Sequence, residues 1–194
     1  HPDKVVHCAA WTAVDAAEDN QEVCHKVNAE GTENIARICG KLDIPMVYIS
    51  TDYVFDGTNY VPYRETEPTC PNSVYGVTKL AGEKKALEYC SKAMIIRTAW
   101  LYSVFGNNFV KTMIRLGKER ESLGVIFDQI GTPTYARDLA SAVFAAIRKG
   151  IIPGIYHFSN EGVCSWYDFT KSIHRIASIG NCKVSPCLLY TSPS

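Results

Sequence analysis

The chain has 194 residues, 46% hydrophobic and 21% charged, with 20 Lys+Arg against 20 Asp+Glu and a formal net charge of zero. That balance is too apolar for a disordered chain, and the lack of a basic excess argues against a general binder of nucleic acid or membrane surfaces. The longest apolar runs, such as Ser141 to Ile147, fall far short of the roughly 18 residues that a membrane span needs.

In chain order, Lys4 to Ala10 is a short apolar run of strand length. Glu18 to Lys41 has helical spacing, with Val23, Val27, Ile35, Ile38 and Leu42 as the apolar positions and Gly40 near its stop. Pro45 to Ser50 is a second strand, reached with almost no linker, as in β-α-β units. Val61 to Ser73 reads as a long loop, and Tyr75 to Ser91 as a helix burying Leu80, Ala81, Ala86, Leu87 and Cys90. Ala93 to Arg97 is a third strand and Asn107 to Leu116 a helix. Gly124 to Phe127 is strand-like, Arg137 to Lys149 an Ala-rich helix, and Gly154 to Phe158 a further strand. Ser165 and Asp168 are spaced as a capping box for the helix that follows.

Apolar strands alternating with amphipathic helices predict an α/β fold with a parallel sheet covered on both faces. Ligands of such sheets sit beyond the carboxyl ends of the strands. The places to search are therefore just after Ala10, Ser50, Arg97 and Phe127. The eight Cys form no C-x-x-C pair, and no His has finger-like spacing, so neither a zinc site nor a disulfide framework is expected. Buried thiols in a reducing compartment fit better, and with no export signal they predict a cytoplasmic protein.

Two patterns carry chemistry. In Tyr75-Gly-Val-Thr-Lys79, the Tyr and Lys lie one turn apart on a helix face. An ammonium near a phenol stabilises the phenolate, which would bring the Tyr within reach of proton transfer. Alone, the same spacing is a common surface pair. In Tyr48-Ile-Ser-Thr-Asp52, an apolar strand runs into hydroxyls that can meet a substrate carbonyl in the ligand crevice. Alone, these residues also make an ordinary turn.

Together, a strand ending in Ser50-Thr51 and a Tyr-x-x-x-Lys helix 24 residues later resemble the extended short-chain dehydrogenase/reductase family. Residues 50–57, 75–83 and 97–102, with Ala9 to Asp15 and Asp128 to Thr134, are similar to its dTDP-4-dehydrorhamnose reductase branch. The resemblance implies a Rossmann-like, doubly wound sheet over residues 1–150, the start of a substrate-binding portion over 151–181, and a non-native tail over 182–194. It implies NADPH or NADH as cofactor, a nucleotide-sugar substrate, a C4 keto reduction and a homodimer.

By the same resemblance Thr51, Tyr75 and Lys79 are catalytic. Tyr75 would be the general acid, Lys79 would hold ribose hydroxyls and lower the Tyr75 pKa, and Thr51 would bind the carbonyl. Ala9, Ala10 and Trp11, with Tyr75 and Lys79, would contact the cofactor. Thr51, Asp52, Trp100 and Asn108 would contact the substrate. Where some members carry a carboxylate linked to magnesium, Arg137 stands here, so no metal is expected. A related branch, a non-catalytic regulatory subunit of methionine adenosyltransferase, shares the fold, as do epimerases and reductases of other nucleotide-sugars. The family's opening Gly-rich turn has no counterpart in the sequence. The chain is expected to enter the fold about fifty residues late, and residues 1–194 alone are expected to be inactive. Without that turn the choice of NAD or NADP is not legible.

Overall fold

The computed structural model describes residues 2–191. The chain begins with strand β1 (Val5–His7), helices α1 (Val14–Asp19), α2 (Gln21–His25) and α3 (Gly31–Lys41), strand β2 (Met46–Thr51), helix α4 (Val74–Tyr89) and strand β3 (Ala93–Thr98). It continues through β4 (Leu101–Tyr102), α5 (Phe109–Glu119), β5 (Ser122–Ile126), β6 (Ile130–Gly131), β7 (Thr134–Tyr135) and α6 (Ala136–Lys149). It closes with β8 (Gly154–His157), β9 (Cys164–Ser165), α7 (Trp166–Ile176) and β10 (Lys183–Cys187). One π-helical turn, Lys26–Glu30, joins α2 to α3, and a 3-10 turn, Asp52–Val54, follows β2.

These elements form two compact units interleaved in sequence. The first runs to Thr98 and takes in Ser141–Phe158, and the second is Ala99–Ala140 with the residues from Ser159 onward. The sequence reading set a boundary at residue 150. Residues 154–157 instead join the first unit because β8 adds to its sheet.

The first unit holds a sheet of order β1-β2-β3-β8, with each neighbouring pair parallel. All six residues of β3 and five of the six in β2 are buried, as strands covered on both faces should be. Met46, Tyr48, Ala93 and Ile95 from these strands pack with Ala36 and Cys39 of α3 and with Ala86 and Cys90 at the end of α4.

The buried face of the first helical segment differs from the expected apolar stripe. Ile38 is 54% and Val23 46% exposed, and Val27 and Leu42 also face outward. The inward row is Cys24, Asn28, Thr32, Ala36 and Cys39. Small and polar side chains occupy it because the backbones come close here. A Cβ on Gly82 of α4 would lie 2.5 Å from the Asn28 carbonyl oxygen and from the Tyr48 hydroxyl. Leu87, expected inside, is exposed, while Lys79 and Glu83 are buried.

The second unit has its own core. β5 and β10 pair in parallel, and Leu123, Val125 and Val184 from them pack with Met113 of α5, Ile173 of α7 and Cys182. Gly124 to Phe127, expected to extend the parallel sheet, thus pairs with β10, so the search position after Phe127 does not lie at that sheet's edge. β10 falls within the expected non-native tail, whose last residues, 192–194, lie outside the described residues. The Ser165–Asp168 capping box at the start of α7 forms as the spacing predicts. All eight cysteines are free thiols, with Cys24, Cys39, Cys90 and Cys182 buried.

Candidate active site

The carboxyl end of β2 meets the first two turns of α4. Thr51 keeps an extended backbone and caps the 3-10 turn: its hydroxyl accepts the Tyr53 N–H (3.2 Å) and donates to Asp52 Oδ1 (3.1 Å). α4 starts where it does because Ser73 caps it, accepting the Gly76 N–H at 3.1 Å. That start sets Tyr75 in the first turn, with the Thr51 side chain close enough to favour its phenolate and the Tyr53 ring edge-on at 5.4 Å.

One turn further, Lys79 is 2% exposed. Its Nζ donates to the Ile49 carbonyl at 2.7 Å and lies 4.1 Å from the centre of the Tyr48 ring. Burial pulls this ammonium down to about 8, against the opposing pull of Glu83. The expected depression of Tyr75 by Lys79 is not found. Burial instead pushes the phenol up to about 12, and Asp52 and Tyr53 act in the same direction. The physical reason is that desolvation of the half-buried ring outweighs the favourable influence of Thr51, and Lys79 is not among the groups that act on the phenol. The protonated phenol is the form a general acid needs.

Ala9, Ala10 and Trp11 follow β1, and Asn28 holds them to the site. Asn28 is fully buried inside the π-helical turn. Its Oδ1 accepts the Trp11 N–H (2.8 Å), and its Nδ2 donates to the Trp11 carbonyl (3.2 Å) and to Thr78 Oγ1 (3.1 Å). One amide thus ties the loop after β1 to the residue before Lys79. The sequence reading missed Asn28. The usable signal was a lone amide in an i, i+4 row of small residues, with the extra residue of a π turn turning it inward.

Trp100 and Asn108 belong to the second unit. Trp100 has a φ of +48° and stacks on Trp166 with centroids 3.4 Å apart. The Asn108 side chain caps α5, accepting the Lys111 N–H at 3.2 Å, and donates to the Ser103 carbonyl at 2.7 Å, so both ends of its amide are engaged locally.

The donor set suits a dinucleotide. Of the three N–H bonds of Lys79, one is used on Ile49, leaving two for a ribose diol, and Ala9 and Ala10 set no bulky side chain beside the carboxyl end of β1.

A parallel sheet carrying a hydroxyl at the end of one strand and a Tyr-Lys pair on the next helix defines a Rossmann-like reductase architecture. The family model for the RmlD substrate binding domain matches residues 1–193. The dTDP-4-dehydrorhamnose reductase of Escherichia coli K12 is 42% identical over 204 residues, covering all of this chain and 68% of that protein. The reductase of the same name from Salmonella typhimurium is 46% identical over 176 residues, covering 89% of this chain and 59% of that protein. A crystal structure of dTDP-4-dehydrorhamnose reductase from Bacillus anthracis in complex with NADP superposes with a TM-score of 0.94 at 44% identity, covering 97% of this chain and 67% of that one. The chain belongs to the RmlD substrate-binding-domain family. It spans 59–68% of the length of the two curated relatives.

Proposed function

We propose that this chain carries the catalytic residues of an NADPH- or NADH-dependent reductase that reduces the C4 keto group of dTDP-4-dehydrorhamnose, a step of dTDP-L-rhamnose biosynthesis. The observation that carries the reading is Tyr75 in the first turn of α4, one helical turn from a buried Lys79 that reaches the end of β2, the strand that closes on Thr51. The NADP complex of the Bacillus anthracis relative supports the cofactor class.

A bound nicotinamide supplies the hydride, and the chain supplies the proton. Tyr75, and Thr51 once its O–H turns away from Asp52 Oδ1, present two O–H groups to the C4 oxygen, where alkoxide charge develops, so their hydrogen bonds strengthen most in the transition state. Tyr75, held protonated by burial, gives its proton to that oxygen. The phenolate left behind is stabilised by the Lys79 ammonium one turn away. Lys79 also offers its free N–H groups to the ribose hydroxyls, with Ala9, Ala10 and Trp11 beside them. Asp52, Trp100 and Asn108 face the sugar nucleotide in this reading, although the Asn108 amide would first have to leave its local partners. No described helix is long and apolar enough to cross a membrane. A cytoplasmic location and a homodimer complete the proposal.

The test is NADPH oxidation with dTDP-4-dehydrorhamnose by a chain of the relatives' full length. Tyr75→Phe should lower kcat by about 10²–10⁴-fold with little change in KM. A wild-type chain inert toward this sugar, or a Tyr75→Phe variant as fast as wild type, overturns the reading.

A further inference from the structure

Glu83 lies one turn beyond Lys79 on α4 and is 1% exposed. Arg97 of β3, 4% exposed, grips its carboxylate with a fork: Nη2 to Oε2 at 2.7 Å and Nε to Oε1 at 3.0 Å. Ser50, 3% exposed, donates to the same Oε1. Ser50 and Arg97 are register partners in the parallel β2–β3 ladder, so one carboxylate binds both strands side by side at their carboxyl ends. Tyr75, Lys79 and Glu83, at i, i+4 and i+8, address Thr51, Ile49 and Ser50, the last three residues of β2. Arg97 Nη1 has no hydrogen-bond partner among the described residues, and the guanidinium lies 5.1 Å from the Phe55 ring centre. A buried ion pair is a costly way to hold two elements together, which prompts the question of what else it does.

We propose that Glu83 is a positioning residue for the reduction: held by Arg97 and Ser50, its carboxylate locks α4 against the ends of β2 and β3 and keeps the neighbouring Lys79 ammonium charged beside Tyr75. The groups facing Lys79 are His7 of β1 and Cys8 just after it, Tyr48 of β2, and Glu83 of α4, with Arg97 of β3 behind Glu83 and Tyr75 one helical turn back along α4. Of these, Glu83 is the strongest influence opposing the burial of Lys79. Removing its charge therefore lets burial neutralise the lysine, and the phenolate formed on proton transfer loses its counter-charge. The inference rests on the reductase reading for its catalytic consequence, but not for the state of Lys79.

The experiment follows the lysine directly. In the full chain, the ¹³Cε signals of labelled lysines are titrated, Lys79 being identified by the signal lost in Lys79→Met, and kcat for NADPH oxidation is measured across the same pH range. Glu83→Gln should lower the Lys79 midpoint by about one pH unit or more. The alkaline limb of kcat should move down with it, and kcat near pH 8 should fall about tenfold with KM for the sugar nucleotide little changed. Glu83→Gln leaves Arg97 buried and unpaired, so Glu83→Gln/Arg97→Met, which removes both charges, is the second variant. It should fold and still titrate Lys79 below wild type. An unmoved Lys79 midpoint in either folded variant overturns the proposal, since a purely structural brace would change only stability. A shifted midpoint in a chain inert at every pH upholds the pair and removes the reductase reading.

Discussion

Lys79 carries a stability signature of its own. Its pKa is drawn from the ordinary 10.5 to about 8 by burial, so the unfolded chain binds more protons than the folded one between those values. The sign is fixed by linkage: the cost is fully present below pH 8 and is relieved as pH rises toward 10.5. The magnitude is about 2–3 kcal/mol. Urea unfolding of wild type and Lys79→Met at pH 7 and pH 10 should show the wild type gaining by that amount relative to the variant. A pH-independent difference would mean that the buried ammonium has its ordinary acidity. In the proposed reading catalysis and stability therefore pull apart at this residue: the charged form proposed to serve Tyr75 is the form that strains the fold.

The strands were legible as elements because buried parallel strands write themselves as apolar runs. β2 and β3 lie within a residue of where the runs Pro45 to Ser50 and Ala93 to Arg97 set them. The Thr51, Tyr75 and Lys79 positions were legible too, since one helix face and one strand end suffice to place them. The packing face of the α2–α3 segment was not. Hydrophobic periodicity assumes that large apolar groups point inward, whereas close helix approach selects Cys24, Thr32 and Ala36 and pushes Ile38 outward. Asn28, Glu83 and Arg97 escaped notice because a buried polar residue looks like a surface residue until its partner is known. The close approach makes its own prediction. Gly82→Ala would raise intrinsic helix propensity by about 1 kcal/mol, yet its Cβ would strike the Asn28 carbonyl, which is backbone, and the Tyr48 hydroxyl. Overpacking of this kind costs about 1–3 kcal/mol. The variant should therefore unfold at lower urea than wild type, whereas an exposed helical glycine would show the reverse. Asn28 would be displaced with it, loosening its hold on the loop at Trp11.

At the scale of the whole molecule, the residues proposed to handle the proton lie within the chain, while the glycine-rich signature of a dinucleotide site does not occur in the sequence. The sequence contains no run of the G-x-x-G-x-x-G type, the turn that brings backbone N–H groups and a helix N-terminus to a pyrophosphate. The two curated relatives extend well beyond the 59–68% of their length that this chain matches. In the proposed reading Lys79, Ala9 and Ala10 address a ribose and its surroundings, and a ribose diol offers neutral hydrogen bonds worth about 1 kcal/mol each net. A pyrophosphate offers charge-assisted ones, roughly twice as strong. NADPH affinity is therefore expected to reside mainly outside residues 1–194. Fluorescence titration should find residues 1–194 binding NADPH at least about tenfold more weakly than a chain of the relatives' full length, tenfold being 1.4 kcal/mol. Lys79→Met should weaken the longer chain less than restriction to residues 1–194 does. Equal affinity of the two chains would mean that the 194 residues hold the phosphates themselves, by a cradle built from something other than a glycine-rich turn.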